Sequence, residues 1–226
     1  YMKRISFALG CIYGLVAITD ILFTFNGYEQ GRLFSKPLLM IVLMLLYAAE
    51  TGIRSSFSKI LLSALLFSWC GDVLLLFNGF FIAGLLAFLS AHIFYIIYLF
   101  RIGAGVRGAL QFQPLLGIPV MAYWLLFSAL LLPYLDTLKI PVVIYATVIC
   151  FFWMLTLNLF GKTDTKTATL FFSGAGQFVL SDSVLAVNKF VYPFEILPVV
   201  VMITYCSAQF LLVLGSVRHL RNSNII

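Results

Sequence analysis

Apolar residues in this chain run in long unbroken stretches. They neither alternate with polar residues nor form a single helical stripe. Charges and turn-forming residues mark off eight such stretches, at about 5–25, 36–53, 58–77, 80–100, 113–133, 138–160, 167–188 and 194–216. A helix needs about 20 apolar residues to cross the hydrocarbon, so each stretch predicts one transmembrane helix. The second is the shortest. The links between stretches are brief. Asn78-Gly79 reads as a tight turn, and 101–112 (RIGAGVRGALQF), among the longest links, is expected to stay outside the hydrocarbon. No linker or low-complexity tract interrupts the chain. The expected fold is all-α: a polytopic membrane bundle of eight transmembrane helices in a single integral membrane domain, 1–226. The first stretch lacks an A-x-A-like site after it and reads as a first transmembrane helix rather than a cleaved signal.

Composition sharpens that picture. Of 226 residues, 63% are hydrophobic and 10% charged, with a mean hydropathy of +1.10. Soluble domains carry about 25% charged residues, so a soluble catalytic domain and a disordered chain are excluded. The net charge of +6 suggests a nucleic-acid binder until the charges are placed. They punctuate the apolar runs and form no basic face. In an eight-helix topology Lys3, Arg4, Arg54, Lys59, Arg101, Arg107, Lys162, Lys166, Arg218 and Arg221 fall on the side of the termini, and only Arg32, Lys36, Lys139 and Lys189 on the other. The positive-inside bias puts both termini in the cytoplasm. Cys11, Cys70, Cys150 and Cys206 each sit in an apolar run with no CxxC or metal spacing, so they read as small hydrophobes. No disulfide framework, metal or cofactor is expected.

The acids behave differently from the bases. Asp20, Asp72 and Asp182 lie inside predicted helices, all in the non-cytoplasmic third, and Glu195 is expected to start the last helix on that side. A carboxylate in the hydrocarbon costs at least ~2.5–3.5 kcal/mol on insertion scales. Three at similar depth point to a polar cavity opening on the non-cytoplasmic face. A short echo adds to this. Gly71–Asn78 reads GDVLLLFN and Ser181–Asn188 reads SDSVLAVN, aligning Asp72 with Asp182, Leu75 with Leu185 and Asn78 with Asn188. Four helices separate the two segments, as in a 4+4 repeat about an axis normal to the membrane.

Asp72 and Asp182 are the first candidates for chemistry. Two carboxyls in a desolvated site tend to divide into one protonated acid and one ionised base, the two roles hydrolysis needs. The same residues could instead cap helices or relay protons in a transporter. Lys36-Pro37 is expected to open the second helix, where Lys36 could hold a phosphate or serve as an interfacial anchor. His92 lies mid-span with Tyr95 one turn on, and His219 is in the tail, too far off for a shared zinc site; no HExxH is present. Tyr205 and Gln209 share a helix face and could line the cavity or bond between helices. Asn78 and Asn188, which close the echoing segments, join the substrate-binding candidates. Ser173, Gly174, Ala175 and Gly176 form a small-residue face suited to close packing. No GxSxG, Walker or GxGxxG motif occurs.

Taken together the chain resembles the YhhN family of integral membrane lysoplasmalogenases. The resemblance rests on Lys36-Pro37, GDVLL (Gly71–Leu75), AHIFY (Ala91–Tyr95), SDSVLA (Ser181–Ala186) and YCSAQ (Tyr205–Gln209), in that order along nearly the whole chain. It implies hydrolysis of the vinyl-ether bond of a lysoplasmalogen to a fatty aldehyde and glycerophospho-ethanolamine or -choline. It also implies that Asp72 and Asp182 match the family's motif aspartates. The expected partners are a vinyl-ether lysophospholipid and the surrounding membrane lipids, with Lys36 and Lys189 available to the headgroup phosphate. The expected location is a bacterial inner membrane or a eukaryotic endomembrane. Two rival readings share the aspartates: a proton-coupled transporter, and an intramembrane aspartyl protease. The protease reading lacks the first glycine of GxGD, which is Trp69 here, and any Tyr-Asp partner motif.

Overall fold

The computed structural model describes residues 2–225, with side chains from Ile5 onward. Lys3 and Arg4 of the charge count therefore have side chains outside the described residues. Among the described residues the fold is helical without strands. Its α-helices are α1 (Met2–Phe25), α2 (Glu29–Thr51), α3 (Ser56–Leu75), α4 (Phe81–Arg101), α5 (Ala109–Phe112), α6 (Ile118–Leu131), α7 (Lys139–Leu157), α8 (Thr165–Ala186) and α9 (Leu197–Asn222). Eight segments are long and apolar enough to cross a membrane, as the hydropathy pattern predicts. The protein is a multi-pass integral membrane protein. Short 3-10 turns extend α6 at both ends (Pro114–Gly117 and Leu132–Tyr134), so the fifth span runs Pro114–Tyr134. The small helix α5 lies in the link before it.

Three boundaries differ from expectation, each for a local reason. Lys36-Pro37 does not open α2, which begins at Glu29 and carries Pro37 inside it. Charges end an apolar stretch but need not end a helix. Glu29 in the first turn suits the positive end of the helix dipole, and Pro37 removes only one donor. Glu195 does not start the last helix. The backbone N–H of Phe194 donates to Asn188 Oδ1 at 3.1 Å, tying the loop that follows to the π turn Val187–Val191, and α9 starts at Leu197 with Pro198 in its first turn. At its other end α9 runs to Asn222, past the expected 216. Basic residues in its last turn, His219 and Arg221, favour the negative end of the dipole, and Arg221 pairs with Glu50.

The chain divides into two compact units, one comprising residues up to Tyr98 with those from Ser216 onward, the other Leu99–Gly215. In the first, α1 packs on α2 and α2 on α3. Its core includes Leu39, Leu43, Tyr47, Leu61, Leu65, Ala91 and Tyr95. Tyr98 and Tyr47 both reach Ser216 Oγ, at 2.6 and 3.0 Å. Close helix approach is set by glycine: a Cβ on Gly71 of α3 would lie 2.6 Å from the Phe88 ring of α4, and one on Gly84 of α4 2.7 Å from Leu75. The tight turn at Asn78-Gly79 is present, with Gly79 at φ +90°.

In the second unit α6 packs on α7 and α7 on α8. The small-residue face of α8 does what its composition implies. A Cβ on Gly174 would stand 3.1 Å from Leu212 of α9, and one on Gly176 3.2 Å from Trp153 of α7. Phe171, Phe178, Met202, Ala208 and Leu212 fill the core. In both units large apolar side chains such as Phe7, Leu15, Leu126 and Leu130 point outward, as they do on lipid-facing helices.

Burial recurs at the spacing of the sequence echo. Ser58, Leu61, Ala64, Leu65, Ser68 and Gly71 are buried on α3, and the positions 110 residues later on α8, Ala168, Phe171, Gly174, Ala175, Phe178 and Ser181, are buried too. Ser35, Leu39, Met40, Val42 and Leu46 on α2 recur the same way as Tyr145, Ile149, Cys150, Phe152 and Thr156 on α7.

The packing at Gly71 makes a stability prediction. Gly71→Ala should destabilise by about 1–3 kcal/mol, the range for overpacking a tight core, read as a lower unfolding temperature in detergent. Gly14→Ala, whose Cβ meets nothing within 4 Å, should be neutral or slightly stabilising in its helix. Topology carries a second. We propose from the charge bias that both termini are cytoplasmic, so a C-terminal reporter active only outside the cytoplasm should stay silent; strong activity of that fusion overturns the assignment.

Candidate functional site

Each unit holds one of the two echoing aspartates, and each is engaged by the preceding packed helices. In the first unit Asp72 sits near the end of α3 and is 1% exposed. Lys36 reaches it from α2, with Nζ 3.4 Å from Asp72 Oδ1 and a side chain 11% exposed. Lys36 is thus drawn into the protein and paired with the aspartate, rather than standing at the start of a helix as a surface anchor. A buried charge left single would cost several kcal/mol, and the cation 36 positions upstream removes that cost.

The neighbouring residue of α2 serves a second acid. Ser35 donates to Asp20 Oδ1 at 2.5 Å, and Arg32 Nε lies 3.9 Å from the same oxygen. Asp20 on α1 is fully buried. One turn of α2 thus touches two intramembrane carboxylates, Asp20 on α1 through Ser35 and Asp72 on α3 through Lys36. His92 on α4 is also fully buried. Its Nδ1 meets the Phe88 carbonyl oxygen at 2.8 Å, and its ring stands edge-on to Tyr95 with centroids 6.2 Å apart. Phe88 is the residue whose ring fills the space above Gly71. Asn78 is exposed in the turn after α3.

In the second unit Asp182 lies near the end of α8. The hydroxyl of Tyr145, from α7, donates to Asp182 Oδ2. The adjacent residues of α8 are held as well. Ser183 Oγ donates to the Val179 carbonyl at 2.7 Å, which leaves Tyr123 of α6 as the donor in its 2.6 Å contact with Ser183 Oγ. Ser181 Oγ donates to the Val201 carbonyl of α9 at 3.1 Å. The turn carrying Asp182 is therefore tied to three neighbouring helices. On α9 the buried Gln209 Nε2 donates to Tyr205 Oη at 3.3 Å, and Tyr205 packs edge-on against Phe178. Asn188 holds the loop to Phe194, and Lys189 is exposed in the wide π turn Val187–Val191.

Sequence reasoning singled out the aspartates and Lys36 but passed over Tyr145, Tyr123, Ser35 and the engagement of Asp20. One signal was available. Lys36 precedes Asp72 by 36 positions and Tyr145 precedes Asp182 by 37. The polar partners thus recur almost in step with the acids.

Mouse (Mus musculus) lysoplasmalogenase TMEM86B is 32% identical over 185 residues, covering 81% of this chain and 74% of the relative. Human (Homo sapiens) lysoplasmalogenase TMEM86A is 35% identical over 162 residues, 68% of this chain and 63% of the relative. Rat (Rattus norvegicus) lysoplasmalogenase TMEM86B is 32% identical over 184 residues, 81% and 71% respectively. No solved structure matches. Residues 31–216, which include Lys36, Asp72, Tyr145 and Asp182, match the YhhN family, and the chain belongs to that family.

Proposed function

We propose that this protein hydrolyses the vinyl-ether bond of a lysoplasmalogen, giving a fatty aldehyde and glycerophospho-ethanolamine or -choline, with Asp72 and Asp182 as its acid and base. The observation that carries the reading is the conjunction of two facts. Its relatives at 32–35% identity are named lysoplasmalogenases, and the two echoing aspartates of its membrane spans are each held in place by a side chain from another helix.

The chemistry suits those groups. A vinyl ether is cleaved by protonation at the β-carbon. The ether oxygen then shares the positive charge as an oxocarbenium ion, water adds, and the resulting hemiacetal collapses to an aldehyde and the glycerol hydroxyl. The demanding step needs a positioned acid and a negative charge near the cation. Two carboxyls of different surroundings supply both. The substrate is a single-chain amphiphile, and a bundle with apolar lipid-facing helices presents its site at the depth where such a chain resides. Lys189 remains a proposed contact for the headgroup phosphate, and Lys36 would reach it only from its place beside Asp72; His92, Asn78, Asn188, Tyr205 and Gln209 are proposed substrate contacts.

The direct test is mass spectrometry of purified protein incubated with a lysoplasmalogen and with its saturated alkyl-ether analogue. The vinyl ether should be cleaved and the saturated ether should not. In D₂O the aldehyde should carry one deuterium on the carbon next to the carbonyl, provided it is sampled before enol exchange. Unlabelled aldehyde rules out carbon protonation, and flux of an unchanged solute down a proton gradient would favour a transporter.

The aspartates give a second test. Asp72→Asn and Asp182→Asn should each lower turnover by about 10²-fold or more, the range for losing a general acid or base. Asp164→Asn is the control. Asp164 caps α8 by accepting from the Thr167 backbone N–H, and Asn caps equally well, so activity should stay within a few-fold. Wild-type rates in both buried variants sink the two-aspartate reading.

A further inference from the structure

We infer that Arg32 is a phosphate-binding residue: its guanidinium, oriented by the buried Asp20, receives the phosphodiester of a lysophospholipid headgroup at the edge of the first unit. The inference rests on the proposed hydrolysis and moves the headgroup contact within that unit from Lys36 to Arg32.

Arg32 stands in the first turn of α2, ahead of the apolar run. An arginine that served only to anchor a helix at the membrane edge would extend its guanidinium to water. Arg32 instead turns toward Asp20 of α1, with Nε 3.9 Å from Oδ1. That distance is too long for a hydrogen bond. Ser35 already donates to the same oxygen at 2.5 Å, and Arg32 Nε is buried with no acceptor among the described residues. The other carboxylate oxygen of Asp20, Oδ2, is buried with no donor among them. The pair therefore lacks the forked contact that an arginine and a carboxylate make when each satisfies the other.

A guanidinium left in that state is short of an acceptor, and an anion supplies one. The Arg32 side chain is 21% exposed and that of Asp20 is fully buried, so an incoming ligand meets the arginine and not the acid. The charges allow it. An anion about 4 Å from the guanidinium and on its far side lies about 8 Å from the carboxylate, so attraction outweighs repulsion about twofold at equal dielectric. Asp20 then orients the arginine, and Ser35 fixes Asp20. The planar fork of arginine matches two oxygens of a phosphate at once.

Two features favour a lipid phosphate over a soluble one. Leu33, Phe34 and Leu38, on the same helix, are exposed and apolar, a surface suited to a hydrocarbon chain. Arg32 and Lys36 are also four positions apart on one helix face, with Cβ atoms about 5–6 Å from each other. The glycerol unit between the phosphate and the ether oxygen of a lysoplasmalogen has a comparable length. A phosphate at Arg32 would set the ether near the level of the Lys36–Asp72 pair, inside the same unit.

Binding can be measured apart from turnover, with the saturated alkyl-ether lysophospholipid titrated onto the purified full-length protein in detergent. The alkyl glycerol of the same chain length, which lacks the phosphate, is the reference ligand. Arg32→Gln should weaken the lysophospholipid by about 10–100-fold, the range for losing a hydrogen bond to a charged group, and leave the alkyl glycerol within a few-fold. Arg32→Lys should fall between, since it keeps the charge and loses the fork. Removing Arg32 alone leaves Asp20 as a single buried charge. The double variant Asp20→Asn with Arg32→Gln removes both charges, should unfold near the wild-type temperature, and should bind the lysophospholipid as weakly as Arg32→Gln. A double variant that regains wild-type binding reduces Arg32 to a structural partner of Asp20 and overturns the inference. Undiminished binding in Arg32→Gln, or equal losses for both ligands, overturns it too. Should both Gln variants fail to fold, Arg32→Lys decides, and unchanged binding there is the negative result. Inorganic phosphate that competes as well as the lysophospholipid overturns the lipid assignment. Turnover separates this inference from the proposed function. Arg32-dependent binding without cleavage of a lysoplasmalogen fails the hydrolysis and keeps the site. Normal cleavage with an unmoved KM in Arg32→Gln fails the site and keeps the hydrolysis.

Discussion

A carboxylate inside a bilayer must be matched, neutralised or hydrogen-bonded, and the two ways this chain meets that demand organise much of its polar interior. Asp72 is matched by a cation, Lys36. Asp182 is bonded by a phenol, Tyr145. Both solutions require the partner helix to sit at a definite rotation and height. That requirement constrains α2 against α3 and α7 against α8 more sharply than apolar packing does, because lipid tails are as apolar as the side chains they would replace. Small residues then allow the close approach. Gly71 admits the Phe88 ring beside Asp72, and Gly174 admits Leu212 on the helix that carries Asp182.

The spans were legible because hydropathy reports a bulk property. Twenty apolar residues in a row leave few alternatives, and the eight segments appear where the apolar runs are. The ends were less legible, since a charge marks the edge of the hydrocarbon and not the end of a helix. At Lys36-Pro37 the two diverge. The apolar run starts there, but the helix starts at Glu29, and the residues between place Arg32 and Ser35 near Asp20. The aspartates could be picked out because a charge in an apolar run is conspicuous. Lys36 could be picked out too, but its pairing with Asp72 could not, and neither could Tyr145. A tyrosine in a run with 16% aromatic composition across the chain carries no mark of its own, and Tyr145 becomes informative only once the pitch of α7 brings it to Asp182.

Lys36 illustrates how structure changes the weight of a residue without changing its identity. As an interfacial cation it would extend its ammonium to water or to a headgroup. As the buried partner of Asp72 it would set the charge of a carboxyl proposed to take part in the reaction. The two descriptions predict different kinetics. A headgroup contact is made equally in ground and transition states and shows in KM. A counter-ion to a catalytic carboxylate acts on the charged transition state and shows in kcat.

The 110-residue recurrence bears on why two inequivalent acids exist at all. We read the two units as variants of one four-helix pattern, because buried positions coincide along α2 and α7 and along α3 and α8 at a single offset. A pattern with an aspartate at the same place on α3 and α8 yields two echoing acids at once, but in copies with identical surroundings they would share one protonation behaviour. Divergence at the second helix breaks that equivalence. Where one copy has Ser35 followed by Lys36, the other has Tyr145 followed by Ala146. The first copy gains an ammonium beside its α3 aspartate, and the second directs a phenol at its α8 aspartate. An acid and a counter-charge can then arise from the same scaffold by changing neighbours alone, with both aspartates kept. The proposed hydrolysis would use that inequality, since it asks for one group that gives a proton and another that holds a charge.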